Sequence, residues 1–228
     1  MPNAVDQLEF RLREQFTVRE ERFTHDQWNF NLLLPQSAED LLDEEAFEKD
    51  ERMPYCADLW PSAKALARWF LGQSRVDGRW LELGCGIGLP SLAVKSRGGT
   101  IVASDHNQDA IRFAQANFQR NLLGDLETAM LDWRDRNPTI GRFDVVIAAD
   151  VLYEQRNAHA LLDLLPRLVA HDGQFVLADP GRRFLQQFQS LLRQAGWHDV
   201  QVATLVETQA TSNGDARRTI RIIQFPRG

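Results

Sequence analysis

Leu81-Glu82-Leu83-Gly84-Cys85-Gly86-Ile87-Gly88-Leu89-Pro90 is the stretch on which the reading of this chain turns. An apolar run from Trp80 to Leu83 enters a loop with glycine at every second position, and a helix-like run from Ser91 to Ser96 follows. Strand, glycine loop and helix in that order make a βα unit that brings bare main chain up to a bound molecule. Glycine permits positive φ there and keeps a side chain from blocking the approach.

Outward from this stretch the alternation is regular. The pattern predicts strand 79–83, helix 90–97, strand 100–104, helix 107–122 and a short strand near 128–131. Strand 143–149, helix 156–170, strand 174–179 and helix 182–195 follow, with two last strands near 198–206 and 217–225. Strands alternating with helices imply a mainly parallel sheet covered on both faces. The last two strands, joined by the turn-rich run Gln209-Ala210-Thr211-Ser212-Asn213-Gly214-Asp215, read as an antiparallel hairpin.

Four elements narrow the ligand. The glycines follow G-x-G-x-G, with Leu89 where the dinucleotide fingerprint has its third glycine. That form, preceded by Glu82, is more typical of S-adenosylmethionine binding than of NAD or FAD binding. Asp105 ends the next strand, where an acid accepts hydrogen bonds from ribose hydroxyls; its alternative role is to cap the helix that follows. Leu131-Asp132-Trp133 offers a polar group and a flat ring for an adenine, or a loop Trp packed on a neighbouring helix. Ala148-Ala149-Asp150-Val151-Leu152-Tyr153 closes the most apolar strand beside the glycine loop, at the topological switch point where ligands bind. Asp150 is too polar for a core position there, with helix capping as the alternative.

Residues 1–54 read as an extension. Trp28, Phe30, Leu32 and Leu34 alternate as a strand that ends at Pro35, and Phe16, Val18 and Phe23 suit a partner strand, with Thr24-His25-Asp26-Gln27 as the turn. Ser37 to Asp40 reads as a helix start, followed by a weak apolar face and a strongly acidic run to Glu51. That run is a solvated helix face or an acidic lid that attracts a basic substrate segment. Farther on, Pro61 suits a first helical position and sets Trp60 at the mouth of a helix that leads to the glycine unit.

Bulk properties exclude several classes. A net charge of −6 and pI near 5.4 argue against a general nucleic-acid binder. No apolar run approaches the ~18 residues of a membrane span, and the charged stretch Met1 to Arg13 does not read as a signal peptide. Cys56 and Cys85 are expected to be free thiols in a reducing cytosol, and no Cys/His cluster has metal-ligand spacing. Only three of the 26 Lys and Arg residues are lysines, which reads as codon bias.

Trp60-Pro61, the Glu82-to-Pro90 loop, Asp105, Leu131-Asp132-Trp133 and Ala149-Asp150-Val151-Leu152-Tyr153 together resemble the seven-β-strand protein-lysine methyltransferases of methyltransferase family 16. The likeness covers about residues 55 to 225, and Asp150-x-x-Tyr153 is its most telling motif. Asp179-Pro180-Gly181-Arg182 further resembles the branch that includes the electron-transfer-flavoprotein β-subunit lysine methyltransferases. The resemblance implies a Rossmann-like class I methyltransferase at 55–228: a seven-stranded, mostly parallel sheet with a C-terminal antiparallel hairpin. The hairpin and acidic helix read from residues 1–54 fit the family less well. It implies S-adenosyl-L-methionine as donor, with Trp60, Glu82, Gly84, Cys85, Gly86, Asp105, Trp133 and Ala149 as cofactor contacts. Asp150 and Tyr153 are implied to form the acceptor site, Asp150 orienting an amine and Tyr153 walling its channel. The expected reaction is N-methylation of a lysine in a protein partner, in the cytosol, with no metal, nucleic acid or membrane involved. Other acceptors on the same fold, or a non-catalytic cofactor-binding module, remain the alternatives; oligomeric state is left open.

Overall fold

The computed structural model describes residues 4–41, 55–135, 138–211 and 214–227. The chain begins with α1 (Ala4–Gln15) and the hairpin β1 (Val18–His25) and β2 (Trp28–Pro35). After 3-10 turns at Glu39–Leu41 and Tyr55–Ala57 come α2 (Pro61–Leu71), β3 (Arg79–Leu83), α3 (Leu89–Ser96), β4 (Thr100–Asp105), α4 (Gln108–Arg120) and β5 (Glu127–Met130). The second half runs β6 (Phe143–Ala149), α5 (Gln155–Leu168), β7 (Val169–Asp179), α6 (Leu185–Gln194), β8 (Val200–Thr211) and β9 (Gly214–Pro226).

The main sheet has the order β5-β4-β3-β6-β7-β9-β8. All neighbours up to β7 run parallel, while β9 is antiparallel to both β7 and β8. Strand side chains alternate between faces, so Trp80 joins the core under α2, α3 and α4, while Leu81 and Leu83 join the core under α5 and α6. From β3 the chain steps to β4 on one side and later to β6 on the other. Their carboxyl ends therefore diverge and leave a crevice above β3.

The N-terminal hairpin is built into this body. Phe23, Phe30, Leu32, Leu33 and Leu34 are buried in the core that α2, α3 and α4 share. Its β2 edge is completed by side-chain amides of α4. Asn117 Oδ1 accepts from Leu33 N at 2.7 Å and Asn117 Nδ2 donates to Leu33 O at 3.1 Å. Asn121 treats Asn31 the same way, accepting at 2.9 Å and donating at 3.0 Å. Asn117 Nδ2 also reaches Ile87 O at 3.0 Å, so one buried amide joins the hairpin to the glycine loop.

Two expectations are corrected, and one element had no reading in the sequence. That element is α1, at the polar start of the chain. Its apolar face is slight, with Leu12 fully buried, and ion pairs hold the rest: Glu9 to Arg120 Nη1 and Arg13 Nη2 to Glu20 of β1, both at 2.5 Å. The loop expected around 209–215 is mostly ladder, since pairing runs out to Thr211 opposite Gly214. That end of β8 and β9 is largely solvent-exposed and carries no apolar alternation, so its strand character is invisible to a hydrophobic pattern. β7 begins at Val169, earlier than expected, directly after α5. The helix expected beyond Asp40 and most of its acidic run lie outside the described residues.

Candidate active site

The glycine loop lies at the carboxyl end of β3. Cys85 N donates to Ser104 O of β4 at 2.9 Å, and Gly88 N to Cys85 O at 2.8 Å. Gly84 has φ 68°, and a Cβ placed there would stand 2.9 Å from Cζ2 of Trp133. Gly88 has φ 84°, and its Cβ would stand 2.9 Å from Cβ of Ala114 in α4. A left-handed backbone and a close neighbour together require glycine at both positions. Glu82 is 1% exposed, in the wall of the cavity, and its carboxylate is committed to the loop: Oε2 accepts from Ser91 N at 3.0 Å and from Ser91 Oγ. Burial raises its pKa from the ordinary 4.5 to about 8, against the pull of the Ser91 bonds.

Asp105 ends β4 with 4% exposure. Oδ2 accepts from Gly86 N at 3.1 Å, and Oδ1 from Asn107 N at 3.0 Å. The helix-capping role belongs to Asn107, whose side chain accepts from Asp109 N and Ala110 N, so Asp105 is spared for the cavity. A carboxylate carries about four lone-pair sites, which leaves Asp105 capacity for further donors. Trp133 lies against Gly84, while Asp132 pairs with Arg134 at 2.8 Å. Desolvation, then the charge of Asp105, pushes the free thiols of Cys56 and Cys85 well up, so both stay protonated near the loop.

The other end of the crevice is made by β6, β7 and the segment before α2. Asp150 leaves β6 with φ 61°, a conformation that asparagine and aspartate tolerate better than most residues. Its N–H donates to Ala178 O of β7 at 2.9 Å. Its carboxylate is 6% exposed and doubly held: Oδ1 accepts from Arg182 Nε at 2.7 Å, and Oδ2 from Ser62 Oγ at 3.3 Å. Three aromatic rings adjoin it. Tyr55 meets Tyr153 edge-on at 5.0 Å and Trp60 at 6.1 Å, and Trp60 Nε1 donates to Tyr55 O at 2.7 Å. Burial pushes the Tyr153 phenol up to about 12, so it is a neutral hydroxyl.

All ten residues singled out in the sequence line one cavity of about 390 Å³. That volume falls in the range of small-molecule sites. Tyr55, Cys56 and Arg182 also line it and had no assigned role in the sequence reading. Arg182 carried a signal, a cation just past the end of β7. Tyr55, five residues before Trp60, belongs to no spacing or period that marks it. Among the described residues no group of three or more His, Cys, Asp or Glu is placed to hold a metal ion, and no helix is long and apolar enough to cross a membrane.

This sheet order, with its one reversed strand and its cavity at the switch point, is the class I S-adenosylmethionine-dependent methyltransferase fold. Magnesium protoporphyrin IX methyltransferase from Synechocystis PCC 6803, solved with bound S-adenosylmethionine, shares it at TM-score 0.55 and 17% identity, over 82% of this chain and 86% of that one. The side chains present suit that cofactor. Asp105 offers acceptors to a ribose, the glycine loop leaves main chain bare, and the Trp133 ring and aromatic trio offer faces to an adenine and a sulphonium cation.

Residues 42–193 match the lysine methyltransferase family, and the chain belongs to it. The electron transfer flavoprotein beta subunit lysine methyltransferase of Xenopus laevis is 30% identical over 57% of this chain and 53% of its own length. Its Rattus norvegicus counterpart is 31% identical over 71% of this chain and 63% of its own length. The chain thus spans between half and two thirds of these curated relatives.

Proposed function

We propose that this protein moves the methyl group of S-adenosylmethionine onto the side-chain nitrogen of a lysine in a protein partner. One observation carries the reading. A single cavity joins a nucleoside-type cradle, Gly84 to Gly86 with Asp105, to an aromatic-walled end that holds Asp150 and Tyr153. The lysine methyltransferases among its relatives support the choice of acceptor.

Bound S-adenosylmethionine supplies an electrophilic methyl group; the protein supplies alignment and dryness. Holding two reactants in line can lower a barrier by ~7–11 kcal/mol. A lysine attacks only as the neutral amine, and with a pKa of ~10.4 deprotonation at pH 7 costs roughly 4.6 kcal/mol. Tyr55, Trp60 and Tyr153 offer ring faces at the acceptor end, and a bound peptide that covers them disfavours the ammonium form. Asp150 and the Tyr153 hydroxyl orient the amine and give its departing proton a hydrogen-bonded path outward. Two unpaired thiols, Cys56 and Cys85, suit the reducing cytosol as the place of action.

Incubation with methyl-labelled S-adenosylmethionine and a lysate of the encoding organism tests the reading. Label on a protein, mapped to lysine by mass spectrometry, is the expected outcome. Label confined to low-mass material, or mapped to another residue type, overturns the acceptor.

A further inference from the structure

The Asp150 carboxylate that faces the acceptor end is not a free anion. The turn that carries its guanidinium partner is fixed through the main chain by a second acid. Asp179, fully buried at the end of β7, accepts on Oδ1 from Gly181 N at 2.6 Å and Arg182 N at 2.7 Å. Its other oxygen, Oδ2, is buried without a hydrogen-bond partner, so the carboxylate is held for the turn alone. The turn throws the Arg182 side chain across the sheet end to Asp150, with its guanidinium carbon 5.9 Å from the Trp60 ring centroid. Burial pulls the Arg182 guanidinium down, but the hydrogen bond and charge of Asp150, joined by Asp179, hold it above its ordinary value; it is a permanent cation. Ser62 supplies a neutral hydroxyl to the remaining Asp150 oxygen.

We propose that Arg182 is a positioning residue that cancels the charge of Asp150, so that the acceptor end orients an amine without stabilising it as ammonium. This rests on the methyltransferase reading and deepens it. An uncompensated carboxylate beside a lysine raises the amine pKa and opposes attack. An ion-paired one keeps its hydrogen-bonding geometry with little net field. An arginine suits the task better than a lysine, because its planar head bonds Asp150 through Nε and still lies within reach of the Trp60 ring.

Sinefungin and S-adenosylhomocysteine probe this without any protein substrate. Sinefungin carries an amine where the transferable methyl stands, and S-adenosylhomocysteine carries nothing there. The ratio of their Kd values, measured calorimetrically at pH 7, reads the charge felt at that point and cancels general damage to the site. Arg182→Gln leaves Asp150 uncompensated and should favour sinefungin by about tenfold, the weight of one pKa unit. Asp150→Asn leaves Arg182 facing only the turn-bound Asp179 and should disfavour it, by a smaller factor. The double variant and Arg182→Lys should return the ratio to within about twofold of wild type. A merely structural Arg182 would weaken both ligands together and leave the ratio still. The assignment is overturned if Arg182→Gln leaves the ratio unmoved, or if both single variants move it the same way. Where Arg182→Gln does not fold, Asp150→Asn alone decides: an unmoved or raised preference for sinefungin overturns it. Failure of wild-type protein to bind either nucleoside sinks the donor reading, and this assignment with it. Binding of S-adenosylhomocysteine with an unmoved ratio sinks the Arg182 assignment alone.

Discussion

The two ends of the cavity are made of different material. The donor end is mostly main chain: a glycine loop of left-handed turns, one acid at the next strand tip, and a glutamate that locks the loop to its helix. The acceptor end is mostly side chain, with Tyr55, Trp60, Ser62, Asp150, Tyr153 and Arg182 arriving from three separate segments. A main-chain site depends on φ and on a few contiguous residues. A side-chain site depends on which strand ends become neighbours. The first kind suits a shared cofactor and the second an acceptor that differs between relatives.

The contrast can be broken first at Glu82. Its pKa is about 8 in the folded protein against 4.5 ordinarily. A raised acid keeps a proton in the native state that the unfolded chain has lost. Its favourable contribution is therefore complete below about pH 4.5 and fades as pH rises through 8. The gap corresponds to roughly 3–5 kcal/mol. Glu82→Gln, neutral at every pH, should flatten the fall in Tm between pH 5 and pH 9. It should still bind S-adenosylhomocysteine, because Glu82 acts on Ser91. An unchanged pH profile would remove Glu82 from the stability account, and lost binding in a folded variant would make it the cofactor contact that the resemblance implies.

Gly84→Val comes next. A left-handed valine costs about 1–2 kcal/mol and overpacking about 1–3 more, with the Trp133 ring 2.9 Å from the new Cβ. Affinity for S-adenosylhomocysteine should fall about a hundredfold or more. Binding within tenfold of wild type would show that the loop yields and that bare main chain is not what the donor end needs.

The smallest effect belongs to the acceptor end. Tyr153→Phe removes one neutral hydroxyl, worth about 1 kcal/mol, so methylation of the mapped acceptor should slow about fivefold while nucleoside affinity holds. With the phenol at about 12, the pH profile below pH 10 should not move. A shift of that profile would make Tyr153 a titrating group and overturn its role as a neutral wall.

Legibility follows the same divide. Strand and helix order, the βα glycine unit, Asp105 and the Asp150-to-Tyr153 run could all be read because each rests on a local period or a short spacing. The helix α1 was missed because its stability comes from the ion pairs of Glu9 with Arg120 and Arg13 with Glu20 and from one buried leucine, not from an apolar stripe. The outer β8–β9 ladder was missed because solvent-exposed pairing leaves no alternation to see. Asn117 is one polar residue among the buried positions of α4 with no motif to mark it, and it joins Leu33 of the hairpin to Ile87 of the glycine loop. Glu82 could be read as important, but its partner Ser91, nine positions on, becomes its neighbour only when the loop turns back.

By itself the sequence determined the α/β architecture and the donor cradle, because periodicity and glycine φ are properties of neighbouring residues. Only the tertiary structure brings Arg182 to Asp150. Asp150 and Arg182 lie 32 positions apart and meet because β6 and β7 run parallel and side by side, which sets Ala149 against Ala178 and brings the two loops that follow to the same edge of the sheet.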